Sequence, residues 1–117
     1  MPTSINNKGA ITGGCGDYTS QFVGFVRDAS GNITTFHPTG AISTNPTAIN
    51  VHGNLTGYYK DSSLQNHGFL RTAKGKIRRV DPPGSTGTYP RAINDSGVIV
   101  GYFYDSDGHQ HGFERDP

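Results

Sequence analysis

Ile49-Asn50-Val51-His52-Gly53-Asn54-Leu55-Thr56-Gly57-Tyr58-Tyr59 decides the fold of this chain, because the segment recurs. Ile5-Asn6-Asn7-Lys8-Gly9 opens an earlier copy at an offset of 44 residues, and Ile93-Asn94-Asp95-Ser96-Gly97 opens a later one at the same offset. Downstream, Gly24-Phe25-Val26-Arg27 returns as Gly68-Phe69-Leu70-Arg71 and Gly112-Phe113-Glu114-Arg115. Within units that start at Ile5, Ile49 and Ile93, eight positions are identical in all three copies: Ile5, Asn6, Gly9, Gly13, Asp17, Gly24, Phe25 and Arg27 with their counterparts. A fixed period of this length is the mark of a repeat architecture. The chain is therefore one repeat domain, 1–117, divided into units 5–48, 49–92 and an incomplete 93–117.

Each unit predicts four short strands. In the second copy these are Asn54 to Tyr59, His67 to Thr72, Lys76 to Asp81 and Thr86 to Ile93. The connections carry turn chemistry: Asn50-Val51-His52-Gly53, Asp61-Ser62-Ser63, Asp81-Pro82-Pro83-Gly84 and Asp105-Ser106-Asp107-Gly108. Period-two alternation puts Leu55 and Gly57 on one face of the first strand and Tyr58 on the other. A recurrent mid-strand glycine implies close approach by another backbone. Phe25, Phe69 and Phe113 are the expected packing layer between neighbouring sheets. The expected fold class is all-β, with β-propeller-like blades of four short antiparallel strands. A β-trefoil or another threefold β barrel is the alternative.

Composition agrees and narrows the function. Of 117 residues 17 are glycine, three are leucine and none is tryptophan, which suits strands and tight turns and disfavours helix. Net charge is +1, so there is no broad positive field for nucleic acid. No apolar run approaches a membrane span. Cys15 is the only cysteine, which excludes an intramolecular disulfide. The N-terminal Met1-Pro2-Thr3-Ser4 has no basic segment leading into an apolar one, so no signal peptide is visible.

The copies resemble the bacterial "probable extracellular repeat, HAF family", in which Ile-Asn-x-x-Gly-x-Ile-x-Gly-Tyr-Tyr is followed by His-Gly-Phe and a Pro-Gly turn. The matching residues are Ile49 to Tyr59 with His67-Gly68-Phe69, and Ile93 to Phe103 with His111-Gly112-Phe113. The first copy departs, with Gly14-Cys15 in place of the aromatic pair and Val23 in place of the histidine. The resemblance implies a propeller-like array in an extracellular or cell-envelope setting. It implies no catalytic residue.

Several residues invite a chemical reading. Asp17, Asp61 and Asp105 stand at hairpin loops, and Asp105-Ser106-Asp107-Gly108 resembles the start of a calcium loop. It lacks the downstream acidic ligand, so turn-closing aspartates are the preferred reading. His109 and His111 share a strand face at a spacing that suits zinc, but no third ligand is evident; no metal or cofactor is expected. A simple hairpin places Tyr59 opposite Asn66 and Arg71 opposite Asn54, which leaves Asp61 beyond salt-bridge reach; Arg27, Arg71 and Arg115 are therefore expected to link neighbouring repeats, with aspartate partners, rather than to form an anion site. Lys74-Gly75-Lys76-Ile77-Arg78-Arg79 reads as a solvated strand or an anion patch. Cys15 reads as a small packing residue.

The leading expectation is a non-enzymatic β-repeat module for binding or assembly. Three blades are too few for an ordinary propeller of roughly four to eight, and the third unit lacks its last two strands. A homo-oligomer is therefore expected, a dimer first and a trimer second. The alternative is a carbohydrate-binding, lectin-like protein with a glycan partner and one shallow site on each intact repeat, built from Tyr58 and His67 or from Tyr102 and His111.

Overall fold

The computed structural model describes residues 1–16 and 22–117 and is all-β. Eleven strands follow in order: β1 (Pro2–Ile5), β2 (Ile11–Gly16), β3 (Phe22–Arg27), β4 (Ile33–Phe36), β5 (Ala41–Ile49), β6 (Leu55–Asp61), β7 (Asn66–Arg71), β8 (Ile77–Val80), β9 (Gly87–Ile93), β10 (Ile99–Tyr104) and β11 (Gln110–Arg115). They form three antiparallel meanders, β1-β2-β3-β4, β5-β6-β7-β8 and β9-β10-β11. The described residues form no closed barrel, so the trefoil alternative is not realised.

The sheets are phased differently from the expected units. β9, read as the fourth strand of unit 49–92, pairs with β10 and begins the third sheet. Each 44-residue unit therefore gives its last strand to the next sheet. The third sheet, which β9 opens, is one strand short of its neighbours. Pro2, Pro46 and Pro90 recur at the same period and mark these opening strands, one per sheet.

The hairpin register also differs, by one residue. Tyr59 pairs with His67 and Leu55 with Arg71, where a simple hairpin set Tyr59 against Asn66. The cause is the β6–β7 turn, in which the Asp61 N–H donates to Gln65 O over 2.9 Å and the Leu64 N–H to Asp61 O over 2.9 Å. Leu64 adopts φ +67° to close it, at the position where the third copy has Gly108 at +82°.

The recurrent mid-strand glycine has a local cause. β1, β5 and β9 each carry a bulge opposite it, at Thr3, Thr47 and Arg91. A Cβ on Gly13, Gly57 or Gly101 would run into the carbonyl oxygen of Met1, Asn45 or Tyr89 respectively. The bulge brings that carbonyl across the strand, and only glycine leaves room for it.

The second sheet is covered on both faces. Ile49, Leu55, Tyr59 and Phe69 pack toward the first sheet, against Val26 and Phe36. The Phe69 ring meets Phe36 edge to face at 5.9 Å, and the Arg71 guanidinium lies 4.9 Å above the same Phe36 ring. Arg71 thus links neighbouring repeats through an aromatic face, and among the described residues it pairs with no aspartate. On the opposite face Tyr58 meets Tyr89 of the third sheet at 5.0 Å. β1 contacts β5 and β5 contacts β9, so the opening strands run side by side along one edge of the molecule.

Candidate functional site

The four expected ligand residues do not form equivalent sites. The observed register places His67 beside Tyr59, on the face opposite Tyr58. The same holds for His111, which pairs with Phe103, and Tyr102, which pairs with Gly112. A one-residue slip exchanges sheet faces, and the shift at the Leu64 turn separates each histidine from its expected tyrosine.

His67 is buried at the end of the second sheet, 3% exposed, under the Tyr59 ring at 5.2 Å. Its Nε2 lies 2.7 Å from Asp61 Oδ2 and its Nδ1 lies 2.8 Å from Asp81 Oδ2. Arg79 reaches across the ring, with a guanidinium nitrogen 2.6 and 3.1 Å from the two imidazole nitrogens and Nε 2.7 Å from Asp81 Oδ2. Two carboxylates and the Arg79 guanidinium surround the two ring nitrogens. Both polar atoms of His67 are thus engaged internally, and the ring clasps the ends of β6 and β8 together across β7.

The carboxylates respond accordingly. Asp61 sits below its ordinary value, chiefly through the His67 hydrogen bond and then the Gln65 N–H. For Asp81, burial is the largest influence and opposes ionisation, but hydrogen bonds from His67, the Gly68 N–H and Arg79 outweigh it and lower the carboxyl. Asp61 also closes its turn as expected, accepting the N–H groups of Ser63 and Gln65 through Oδ1. Asp17, the first-copy counterpart, lies outside the described residues.

The third copy repeats half of the clasp. His111 Nε2 lies 2.7 Å from Asp105 Oδ2, and this bond with the His109 N–H holds the Asp105 carboxyl down at about 2. Asp105, Asp107 and His109 each bring an oxygen or nitrogen within 4.8 Å of one another. Both Asp105 oxygens are already committed, Oδ1 to the N–H groups of Asp107 and His109 and Oδ2 to His111. That is a turn-closing arrangement.

The tyrosines form a separate group. Tyr89 stacks on Tyr102 at 5.1 Å and meets Tyr58 at 5.0 Å and Tyr104 at 6.1 Å. Asn66 ties the group to β7 by donating to the Tyr89 hydroxyl over 3.0 Å. Burial, then the neighbouring Tyr89 and Tyr102, raises the Tyr58 phenol, and Arg91 opposes that rise. Tyr58 forms one wall of a cavity of about 360 Å³ that also reaches Thr3, Gly14, Phe22, Asn45 and Arg91. A second cavity, about 430 Å³, lies between Val80 and Phe113, where Val80 stands in place of the bulkier Phe36 of the preceding repeat.

Sequence reasoning missed Asn6, Asn50 and Asn94 as structural side chains, although their identity in all three copies was the signal. Asn50 Oδ1 accepts from the N–H groups of His52 and Asn54, and its Nδ2 donates to Asn94 O. Cys15 is exposed and does not pack; its counterpart Tyr59 is buried only because another sheet covers it. In the basic cluster Lys76 and Arg78 are exposed while Arg79 serves the clasp. Among the described residues no helix is long and apolar enough to cross a membrane.

No family model, curated protein or solved structure matches the chain.

Proposed function

We propose that this protein is a non-enzymatic β-repeat module whose sheets are consecutive propeller-like blades, and that it assembles head to tail with a second copy. One observation carries this reading: the two outer faces repeat the two faces that are buried inside the molecule. Ile49 is 6% exposed where the first sheet covers it, but its counterpart Ile5, on the outer face of the first sheet, is 65% exposed. Ile33, counterpart of the half-buried Ile77, is 66% exposed. At the other end, Val100 occupies the position of buried Thr56 and is 44% exposed, beside Tyr102 and Tyr104. Each outer face is thus complementary to the other by the same contacts that join the sheets internally, and repeat units bury their faces against neighbours.

Such contacts are heterologous, and they close into a ring if the rotation allows. A dimer is the first expectation and a trimer the second. The engagement of both His67 nitrogens by carboxylates supports a structural rather than a catalytic use of that cluster. Likeness to the extracellular repeat family supports an extracellular or cell-envelope setting.

Light scattering or sedimentation at micromolar concentration tests the assembly. A mass of two or three chains is expected, and a strictly monomeric, stable protein overturns the reading.

A further inference from the structure

Two departures from the repeat meet at one cavity. The aromatic residue that β6 and β10 carry as Tyr58 and Tyr102 is Gly14 in β2. The bulged residue that β1 and β5 carry as Thr3 and Thr47 is Arg91 in β9. Both departures line the cavity of about 360 Å³, together with Thr3, Phe22, Asn45 and Tyr58. Its walls come from all three sheets, so it occurs once and not once per repeat.

The departures have complementary effects. Gly14 opens the space. A Cβ there would sit 3.5 Å from Phe22 Cβ and Cδ1 and 3.6 Å from Thr44 O, which is ordinary contact. The β2 backbone therefore does not demand glycine at this position, unlike the neighbouring Gly13, and a tyrosine at 14 would enter the hollow. Arg91 charges the space. Thr3 and Thr47 spend their hydroxyls on the next sheet, donating to Pro46 O over 2.8 Å and to Pro90 O over 2.9 Å. Arg91 is exposed and takes part in no ion pair among the described residues.

We propose that this cavity binds a uronate, a pyranose ring bearing a carboxylate, at the end or within an acidic glycan. The Arg91 fork matches a carboxylate with two parallel hydrogen bonds. Tyr58 and Phe22 offer apolar faces to the C–H side of the ring, and the Asn45 amide offers a donor and an acceptor to its hydroxyls. The volume falls at the low end of small-molecule sites, roughly 300–1,000 Å³, which suits a short saccharide. The site is complete within one chain, so it stands apart from the assembly proposal.

Isothermal titration calorimetry with trigalacturonate and its uncharged methyl ester, at fixed ionic strength, tests the site. The acid is expected to bind at least about tenfold more tightly than the ester, the size of a charge-assisted hydrogen bond. Arg91→Gln should remove that preference, weakening the acid about tenfold and leaving the ester unchanged. Gly14→Tyr should abolish binding of both by filling the hollow. If Gly14→Tyr fails to fold, Arg91→Gln decides alone, since its side chain is exposed. A double variant, Lys76→Gln with Arg78→Gln, should bind as the wild type does. Absence of acid binding, an unchanged acid preference in Arg91→Gln, or its loss in the Lys76/Arg78 variant each overturns the proposal.

Discussion

The Asn50 side-chain nitrogen donates to the Asn94 carbonyl oxygen over 3.0 Å, one repeat further along the chain. Asn6 does the same to Asn50 over 2.8 Å. Each asparagine closes its own turn through Oδ1 and reaches the next turn through Nδ2, so one side chain joins local and inter-sheet structure. Thr3 and Thr47 run a parallel ladder to Pro46 and Pro90. The sheets are stapled at two levels by side chains spaced one repeat apart.

Asn50→Ala should therefore be costly. It strands the N–H groups of His52 and Asn54 and removes the inter-sheet bond to Asn94 O, and Asn50 is buried. A loss of about 2–4 kcal/mol is expected from orphaning several polar groups. Asn6→Ala, at a half-exposed outer repeat, should cost less. Urea denaturation of both variants measures the difference, and equal losses would contradict the staple.

Leu64→Gly should stabilise the protein. Leu64 holds φ +67° and its side chain is 66% exposed, so it bears left-handed strain with little burial in return. Relief of that strain, about 1 kcal/mol net, corresponds to roughly 4 °C in melting temperature. The third copy already has Gly108 there. A thermal melt in which Leu64→Gly unfolds earlier than the wild type would show that the leucine serves some other contact.

That leucine also explains where the sequence misled. The repeat, the all-β class, the glycine turns and the strands of the second copy were legible, because they rest on identity and alternation. The phase of the sheets was not, since a period has no intrinsic origin; β9 joins β10 across the tight Asn94–Gly97 turn, as β5 joins β6 and β1 joins β2. The hairpin register failed at Leu64, where no residue type announces a positive φ. With it failed the grouping of Tyr58 with His67, which share a face only in the slipped register. The cavity was half-legible: Gly14 was seen as a missing tyrosine, but Arg91 gained meaning only when the bulge aligned it with Thr3 and Thr47.

Acid should loosen the clasp. The folded-state values of Asp61, Asp81 and Asp105 are all lowered from an ordinary 3.8, that of Asp105 to about 2. A depressed carboxyl binds fewer protons folded than unfolded, so its contribution is present above the unfolded value and is lost as pH falls through the folded one. Melting temperature should thus be level above about pH 5 and fall between about pH 4 and 2. Asp81→Asn should flatten part of that slope while lowering stability at neutral pH. Circular dichroism melts from pH 2 to 7 provide the check; an Asp81→Asn slope identical to the wild type would rule the clasp out as its source.

The head-to-tail character of the assembly makes a prediction that an ordinary twofold dimer does not. Ile5 lies on the outer face of the first sheet and Val100 on the outer face of the third. In a heterologous interface each contact uses one face of each kind. Ile5→Asp spoils every first-sheet face and Val100→Asp every third-sheet face, so each variant alone should be monomeric. A mixture of the two retains one intact face of each kind and should form an open heterodimer with a single good contact. Affinity would drop below the wild type because one junction is lost, but the heterodimer should appear at concentrations where both pure variants remain monomers. In an isologous dimer the same patch meets itself, so mixing would restore nothing. Native mass spectrometry of isotope-labelled variants separates the two outcomes, and a mixture that stays wholly monomeric sinks the head-to-tail arrangement.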